Sequence, residues 1–289
     1  MLKRDILRKD LNLEHTEARW KSFDGTNLFS QTWQPDRRPR AVINLIHGLG
    51  EHSGRYNSWA IKFVEHGFAF RGFDMRGHGQ SEGRRGYASA YYKMIRDIES
   101  FIEQGRSQFP DIPVFNYGHS LGGNLLLNYI IKQSAQSNGL IITSPWLELS
   151  NPPSRFALLI ADIVGSMVPW IVLGNRLKAE HISRDLRVVH AYKSDPLVHD
   201  RIGIKFLSQI FDAGIRASMS IYKINVPMLV MHGSEDNITS CKTVRNFVRN
   251  ASDKTTYIEW EGGYHELHND IDYEEVFDSM LRWLNKQLN

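Results

Sequence analysis

The stretch Val114–Gly123, which reads Val-Phe-Asn-Tyr-Gly-His-Ser-Leu-Gly-Gly, decides the fold prediction. It begins with an apolar run, residues 118–122 fit the pattern G-x-S-x-G, and a helical pattern follows over Leu121–Ser134. A strand, this pattern and a helix in succession predict a sharp turn that exposes the Ser120 hydroxyl at a helix N-terminus, where negative charge is stabilised. The five residues alone also fit an ordinary glycine-rich turn, but the strand–helix context favours a nucleophile at Ser120.

The rest of the chain alternates between short apolar runs and helical patterns. This alternation predicts a mostly parallel sheet covered by helices on both faces. Near the N-terminus, Glu17–Ser22 and Leu28–Gln34 flank Asp24-Gly25, which predicts an antiparallel hairpin. The apolar runs are Ala41–Ile46, Phe68–Phe73, Val114–Tyr117, Leu140–Thr143, Met228–Met231 and Thr255–Trp260, and the helical patterns lie near Asn57–Glu65, Tyr91–Gln108, Leu121–Ser134, Lys242–Asn250 and Asp270–Leu288.

One long interval, from Pro145 to Asn225, breaks the alternation. It contains no convincing core strand, but it carries an apolar stretch, Phe156–Gly174, and a helical pattern near Arg201–Phe211. The interval is too long for an ordinary connection, so we expect an inserted helical cap. The predicted organisation is one α/β core formed by residues 1–144 and 225–289, with residues 145–224 as the cap.

Composition and charge exclude several other classes of protein. The chain has 289 residues, 42% of them hydrophobic, with a single Cys and a formal net charge of +3. These values disfavour a disordered chain, a disulfide scaffold, a Cys-rich zinc site and a dedicated nucleic-acid-binding protein. The N-terminus lacks the apolar core of a secretory signal, so a cytoplasmic location is expected.

The stretch Phe156–Gly174 approaches the length of a membrane span. Asp162 and Pro169 interrupt it, and no second span accompanies it, so a buried or surface-lying helix is the better interpretation. Residues 145–224 carry ten Lys and Arg against seven Asp and Glu. A positive surplus beside an apolar helix suggests peripheral contact between the cap and an anionic membrane.

A serine nucleophile needs a general base, and that base needs an acid to orient it. Asp236 follows the apolar run Met228–Met231, and His265 follows the run Thr255–Trp260. Both therefore come from loops at strand ends, in the chain order Ser, acid, His that α/β-hydrolases use. Glu235 and His268 are the nearest rival acid and base, and we predict Ser120, Asp236 and His265 as the catalytic triad.

The residues His47-Gly-Leu-Gly50 follow the first predicted parallel strand. This position is where such a fold supplies one main-chain donor of an oxyanion hole, the second coming from the residue after the nucleophile. The predicted donors are therefore the N–H groups of Leu49 and Leu121. A simple tight turn at His47-Gly48 is the alternative.

The chain resembles the monoacylglycerol lipases, which are serine hydrolases of the α/β-hydrolase fold. The resemblance runs from about Trp20 to the C-terminus, and its most specific parts are Gly50-Glu-His-Ser-Gly-Arg-Tyr56 and Ser194-Asp-Pro-Leu197. Three common motifs agree in order: Asp74-Met-Arg-Gly-His-Gly-Gln-Ser81, Gly118-His-Ser-Leu-Gly-Gly123 and Tyr264-His-Glu-Leu-His268.

The resemblance implies an esterase that releases glycerol and a fatty acid from monoacylglycerol, with no metal and no organic cofactor. It implies that the glycerol hydroxyls are held by Glu51, Tyr192 and His268, with Arg55 orienting Glu51. A diol head group needs hydrogen-bond donors and acceptors, whereas an alkyl chain needs none, so a polar end beside an apolar tunnel is physically reasonable.

Alternatives within the same fold are a lysophospholipase, a broad carboxylesterase and an acyltransferase. A catalytically inactive lipid-binding relative is the non-enzyme alternative, and it would be expected to lack a triad residue or the oxyanion loop. A dehalogenase is disfavoured because its nucleophile would be Asp where this chain has Ser120.

Overall fold

Apolar strands form the centre of the molecule. The computed structural model describes residues 3–5, 13–133 and 137–289, and within these ranges nine strands form one sheet and two short strands form a separate ribbon. The sheet strands are β1 (Lys3–Asp5), β2 (Leu13–Lys21), β3 (Asn27–Pro35), β4 (Val42–Ile46), β5 (Ala69–Phe73), β6 (Val114–His119), β7 (Gly139–Thr143), β10 (Met228–Gly233) and β11 (Thr255–Trp260), and the ribbon strands are β8 (Val172–Gly174) and β9 (Arg201–Gly203).

Eight α-helices accompany the strands in the described ranges. Those of the core follow the predicted positions within a few residues, and the last residue of one predicted helix, Ser134, lies outside the described residues. The helices are α1 (Asn57–Glu65), α2 (Tyr91–Gln108), α3 (Leu121–Gln133), α4 (Arg155–Met167), α5 (Leu186–Ser194), α6 (Ile204–Ser220), α7 (Cys241–Val248) and α8 (Tyr273–Leu288).

The strand order is β1-β2-β3-β5-β4-β6-β7-β10-β11. The strands from β1 to β3 pair antiparallel, as does β3 with β5, whereas every pair from β5 to β11 is parallel. The predicted mostly parallel sheet with an N-terminal antiparallel hairpin is thus confirmed. Because parallel strands end at one edge of the sheet, the loops after β4, β6, β7, β10 and β11 meet there.

Helices cover both faces of the sheet. On one face, Phe101 of α2, Leu125 of α3 and Phe206 of α6 belong to one buried apolar cluster. On the other face, Phe63 of α1 and Trp283 of α8 belong to a second. Strands β4, β5, β6, β7 and β10 are buried along their whole length, as expected for strands packed on both sides.

The N-terminus of α3 lies very close to the sheet. A Cβ atom at Gly122 would lie 2.0 Å from the carbonyl oxygen of Ile46, and one at Gly118 would lie 2.7 Å from that of Gly122. Only residues without a side chain allow this approach. It brings the start of α3 beside the loop that follows β4.

The cap differs from its prediction in detail. The apolar stretch Phe156–Gly174 is helical only as far as Met167, because the residue before Pro169 is disfavoured in the helical conformation, and β8 follows. Helix α6 extends to Ser220, beyond the predicted Phe211. The strands β1, β8 and β9 were not predicted.

Candidate active site

Ser120 lies on the sharp turn between β6 and α3. Its φ angle is +52°, in the left-handed region that a non-glycine residue rarely adopts. Main-chain hydrogen bonds fix this turn from both sides: the Ser120 N–H donates to the carbonyl of Thr143 at 3.0 Å, and the Trp146 N–H donates to the carbonyl of Ser120 at 3.0 Å. The side chain of Ser120 reaches the wall of a cavity described below.

His265 and Asp236 form a direct contact beside this turn. The Nδ1 atom of His265 lies 2.7 Å from Oδ2 of Asp236, and both side chains are buried. Burial acts to lower the pKa of His265, but the Asp236 carboxylate outweighs it and raises the pKa above its ordinary value. His265 also lines the cavity that Ser120 lines. The structure therefore brings all three predicted triad residues to one edge of the sheet.

The carboxylate of Asp236 is held by several donors besides His265. Burial acts to raise its pKa, but His265 and the buried His232 hold the pKa far below the ordinary range. This array keeps Asp236 ionised and fixes its orientation. The donors are the Ile238 N–H at 2.7 Å and the Thr239 N–H at 3.0 Å to Oδ1, and the Thr239 hydroxyl at 2.9 Å and His232 Nε2 at 3.1 Å to Oδ2.

The predicted oxyanion loop lies between β4 and α1. None of the hydrogen bonds of the described residues uses the Leu49 N–H. The Leu121 N–H begins α3 and so has no acceptor within that helix. The neighbouring Gly48 N–H is different, because it donates to Oε1 of Glu51 at 2.5 Å. Neither the Leu49 nor the Leu121 N–H is thus used by a hydrogen bond within the described residues, as an oxyanion donor requires, and Glu51 holds the loop that carries Leu49.

The cap also holds this loop. The His199 N–H donates to the carbonyl of Gly50 at 2.9 Å, and a Cβ atom on Gly50 would lie 2.3 Å from the carbonyl of His199. Nε2 of His52 lies 2.9 Å from Oδ2 of Asp195, where Ser-Asp-Pro-Leu ends α5. The two motifs that were most specific in the sequence, around Glu51 and Asp195, are therefore in direct contact.

Arg55 lies between two carboxylates. It donates to Oε2 of Glu51 at 2.9 Å and makes two bonds to Glu266, at 2.6 and 2.7 Å. Burial raises the pKa of Glu51, as does the charge of Glu266, while Arg55 overcomes burial and lowers the pKa of Glu266 to about 2. The Tyr56 hydroxyl also donates to Glu51. The sequence reasoning found the pair of Arg55 and Glu51, but it missed Glu266.

The remaining predicted head-group residues occupy different places. Tyr192 of α5 lines the cavity, and the Arg55 guanidinium lies 4.7 Å from the centre of its ring. His268 is buried and stacked on Tyr56 at 4.4 Å, and it is absent from the cavity lining. Burial lowers the pKa of His268 to about 3. His119, which the sequence reasoning also missed, does line the cavity and lies beside His265, 4.9 Å between ring centres.

The cavity has a volume of about 900 Å³, and the polar residues of its wall include a group close to Gly48, which we call the polar region. Its polar region contains Glu51, His119, Ser120, Tyr192, His265 and Glu266. The rest of the wall is mainly apolar and comes largely from the cap, which matches a site for a long alkyl chain. Apolar residues of this wall include Trp146, Leu149, Leu158, Ala161, Ile202, Leu207 and Ile238.

Helix α4 is apolar on two faces. Its inner face, with Leu158 and Ala161, lines the cavity. Its outer face exposes Phe156, Leu159 and Ile163, of which Phe156 is 72% exposed. In the described part of the chain, no helix combines the length and apolar character needed to cross a bilayer. Adjacent exposed apolar side chains such as these are typical of an interaction surface.

Comparisons of the sequence and the fold with those of known proteins show which family this chain belongs to. The family model Hydrolase_4, described as serine aminopeptidase, S33, matches residues 37–272. The monoglyceride lipase of Homo sapiens is 34% identical over 268 residues, which cover 91% of this chain and 86% of that protein. The chain belongs to the monoglyceride lipase family of serine hydrolases.

A solved structure supports this family membership. The monoacylglycerol lipase of Paleococcus ferrophilus superposes with a TM-score of 0.80 at 31% identity, covering 94% of this chain and 98% of that one. The α/β-hydrolase fold and a carboxylic ester hydrolase of the monoglyceride lipase family are thereby confirmed. An uncharacterized abhydrolase domain-containing protein of Dictyostelium discoideum is 34% identical over 269 residues, but the chain spans only 28% of its length.

Across the described ranges, no three His, Cys, Asp or Glu side chains are grouped so that they could hold a metal ion. The contact between His265 and Asp236 is the first to test.

We expect Asp236→Asn to lower kcat by about 10⁴-fold, because the amide no longer holds His265 in the tautomer that accepts the Ser120 proton. The acid limb of the kcat/KM profile should also move to lower pH. Activity requires neutral His265, and without the carboxylate its pKa is no longer raised. The measurement is kcat/KM on a soluble ester from pH 5 to 9, with the exposed Asp253→Asn as the control. An acid limb that stays in place would contradict the assigned contact.

Proposed function

We propose that this chain hydrolyses monoacylglycerol to glycerol and a free fatty acid through an acyl-enzyme on Ser120. The observation that carries the proposal is that Ser120 and His265 line one cavity whose wall is mainly apolar but also contains the polar side chains of Glu51, Tyr192 and Glu266. A lipid ester with a small polar head has these two parts. The relatives named as monoglyceride or monoacylglycerol lipases agree with this substrate.

In the proposed mechanism, His265 removes the Ser120 proton while the Ser120 oxygen attacks the ester carbonyl. The N–H groups of Leu49 and Leu121 stabilise the negative oxygen that forms. The glycerol oxygen leaves and takes the proton from His265. Water then gives a proton to His265 and attacks the acyl-enzyme, which releases the fatty acid and returns the proton to Ser120. Asp236 keeps the imidazole oriented throughout.

We propose that the glycerol head lies against Glu51 and Tyr192, which both line the polar region. Arg55 orients Glu51 through the 2.9 Å contact. His268 stays a candidate for the same subsite, but its burial on Tyr56 favours a role in supporting the wall. Glu51 then has two tasks, because it also fixes the Gly48 N–H of the oxyanion loop.

We further propose peripheral contact between the outer face of α4 and an anionic membrane. Leu159 and Ile163 are 56% and 48% exposed, one turn apart on that face. The cap carries the positive surplus predicted from the sequence, which would attract anionic lipid. Such a protein would act in the cytoplasm at a membrane surface.

The substrate prediction is tested by comparing kcat/KM on long-chain monoacylglycerol, diacylglycerol, lysophospholipid and a short-chain ester. We expect monoacylglycerol to be the best substrate, because only its head fits the polar region while its chain fills the apolar wall. Ser120→Ala should lower kcat on it by about 10⁶-fold. A preference for lysophospholipid, or equal rates on all esters, would favour the alternative lysophospholipase or broad carboxylesterase. Near-normal turnover by Ser120→Ala would overturn the nucleophile.

The two tasks of Glu51 are separable with two substrates that share one acyl chain. Glu51→Ala should slow hydrolysis of both monoacylglycerol and the methyl ester, because the Gly48 loop loses its acceptor. Monoacylglycerol should lose about 10- to 100-fold more, the usual effect of one hydrogen bond to a charged group. The measurement is the ratio of kcat/KM for the two esters. Equal losses would mean that Glu51 acts only on the loop.

The membrane proposal predicts that the protein binds vesicles containing phosphatidylserine more tightly than pure phosphatidylcholine vesicles, and less tightly as salt rises. The double variant Leu159→Asn/Ile163→Asn should weaken binding by about tenfold or more, because each substitution removes an apolar side chain that would be buried in lipid. Hydrolysis of a soluble ester should not change. Tyr92→Asn, on α2, is a control with similar exposure, 54%. If vesicle affinity depends neither on anionic lipid nor on the two substitutions, α4 is not the membrane-binding surface.

A further inference from the structure

A second residue beside the active site has a left-handed backbone. Ser144 follows the last residue of β7, has a φ angle of +44° and is fully buried. A non-glycine residue holds this conformation only when its surroundings impose it, and such residues cluster at functional sites. Neither the sequence pattern nor the proposed mechanism assigns Ser144 a role.

The hydrogen bonds of Ser144 lead to two of the three catalytic loops. Its hydroxyl donates to the carbonyl oxygen of His265 at 2.7 Å. Its own carbonyl lies 3.1 Å from the Thr239 hydroxyl, which also lies 2.9 Å from the Asp236 carboxylate. Its N–H donates to the carbonyl of Met231 at 2.9 Å, on the strand that precedes Asp236.

The residues on either side of Ser144 reach the third loop. The carbonyl of Thr143 accepts from the Ser120 N–H, and the N–H of Trp146 donates to the Ser120 carbonyl, both at 3.0 Å. The four residues 143–146, which we call the β7 corner, therefore contact the loops of the nucleophile, the acid and the base. With the left-handed turn at Ser144, its hydroxyl faces the loop of the base, while its N–H and carbonyl face the strand and loop of the acid.

We propose that Ser144 is a positioning residue that fixes the main chain of His265 relative to Ser120 and Asp236. The proposal rests on the proposed roles of those three residues. His265 must face the nucleophile on one side and the acid on the other, and its side chain can do so only while its main chain is held. The Ser144 hydroxyl holds this main chain directly, through its hydrogen bond to the His265 carbonyl oxygen. Ser144 itself directly follows β7, a strand of the sheet.

The alternative is that the β7 corner needs only a residue that tolerates a left-handed backbone. Two variants separate these ideas. Ser144→Ala and Ser144→Gly both remove the hydroxyl, but glycine relieves the backbone strain and alanine keeps it. If the hydroxyl positions His265, both variants lose activity. If only the backbone matters, the glycine variant keeps it.

A control serine in the cap makes a hydrogen bond to the segment that follows His265. Ser183 is also buried, and its hydroxyl donates to the carbonyl of Asn269 at 2.8 Å, four residues after His265. Ser183→Ala therefore removes a hydrogen bond to the main chain of this segment, together with the bond that the hydroxyl accepts from the Asp185 N–H at 3.0 Å, without touching the residue that carries the imidazole. This variant measures how much kcat falls when the segment that contains Asn269 is held less tightly.

The experiment measures kcat and KM of the full chain on a soluble chromogenic ester, together with Tm. Active-site concentration is taken from titration with a fluorophosphonate, so that misfolded protein does not count. We expect kcat of both Ser144 variants to fall about 10- to 100-fold, the effect of a small misplacement of a catalytic group, with KM unchanged. Ser144→Gly should have a Tm equal to or above that of Ser144→Ala. Ser183→Ala should keep the wild-type kcat.

Wild-type kcat in Ser144→Gly would overturn the proposal, as would an equal loss of kcat in Ser183→Ala. The soluble ester makes this result independent of the natural substrate. Wild-type protein that hydrolyses the ester but not monoacylglycerol would contradict the proposed substrate and leave the Ser144 comparison valid. Wild-type protein that reacts with neither the ester nor the fluorophosphonate would overturn the proposed function, and Ser144 would have no reaction to assist.

Discussion

The close approach of α3 to the ends of β4 and β6 is the constraint on which the site depends. It requires glycine at positions 118 and 122, because a side chain at either would meet a main chain at 2.0 to 2.7 Å. Once α3 is in this position, Ser120 must turn left-handed to connect β6 to it, and its hydroxyl points out of the sheet toward the cavity. The same approach places the Leu121 N–H beside the loop of Leu49. The positions of the proposed nucleophile and of one proposed oxyanion donor thus follow from one packing contact.

The sheet, and the location of Ser120, Asp236 and His265 at one edge of it, could be predicted because their signals are local. Each of Ser120, Asp236 and His265 directly follows a recognisable apolar strand, and parallel strands bring their ends together whatever lies between them. The pair of Glu51 and Arg55 was accessible for a related reason, since both lie in one short motif. When residues lie in one strand or in one short motif, their spacing in the sequence fixes their relative positions in the structure.

Other parts of the site depend on contacts that leave no such pattern. Glu266 meets Arg55 across 211 positions of the chain, and nothing in either segment specifies the partner. The left-handed conformation of Ser144 has no sequence signal, because serine gives no indication of a positive φ. Helix α6 was predicted too short because Gly214 weakens its helical pattern. The structure shows the reason for that glycine: a Cβ atom there would lie 2.1 Å from the carbonyl of Leu147.

The attachment of the cap has a mechanical consequence. The half that contains Asp195 and His199 is bonded to His52 and Gly50, on the loop that carries an oxyanion donor. Displacing that half would pull on this loop and on the proposed oxyanion donor that it carries. Helix α4 packs against α6 instead, with Gly165 touching the main chain of Lys205. Displacement of α4 would leave the contacts of Gly50 and His52 in place, so the two parts of the cap differ in how directly they are tied to the loop after β4.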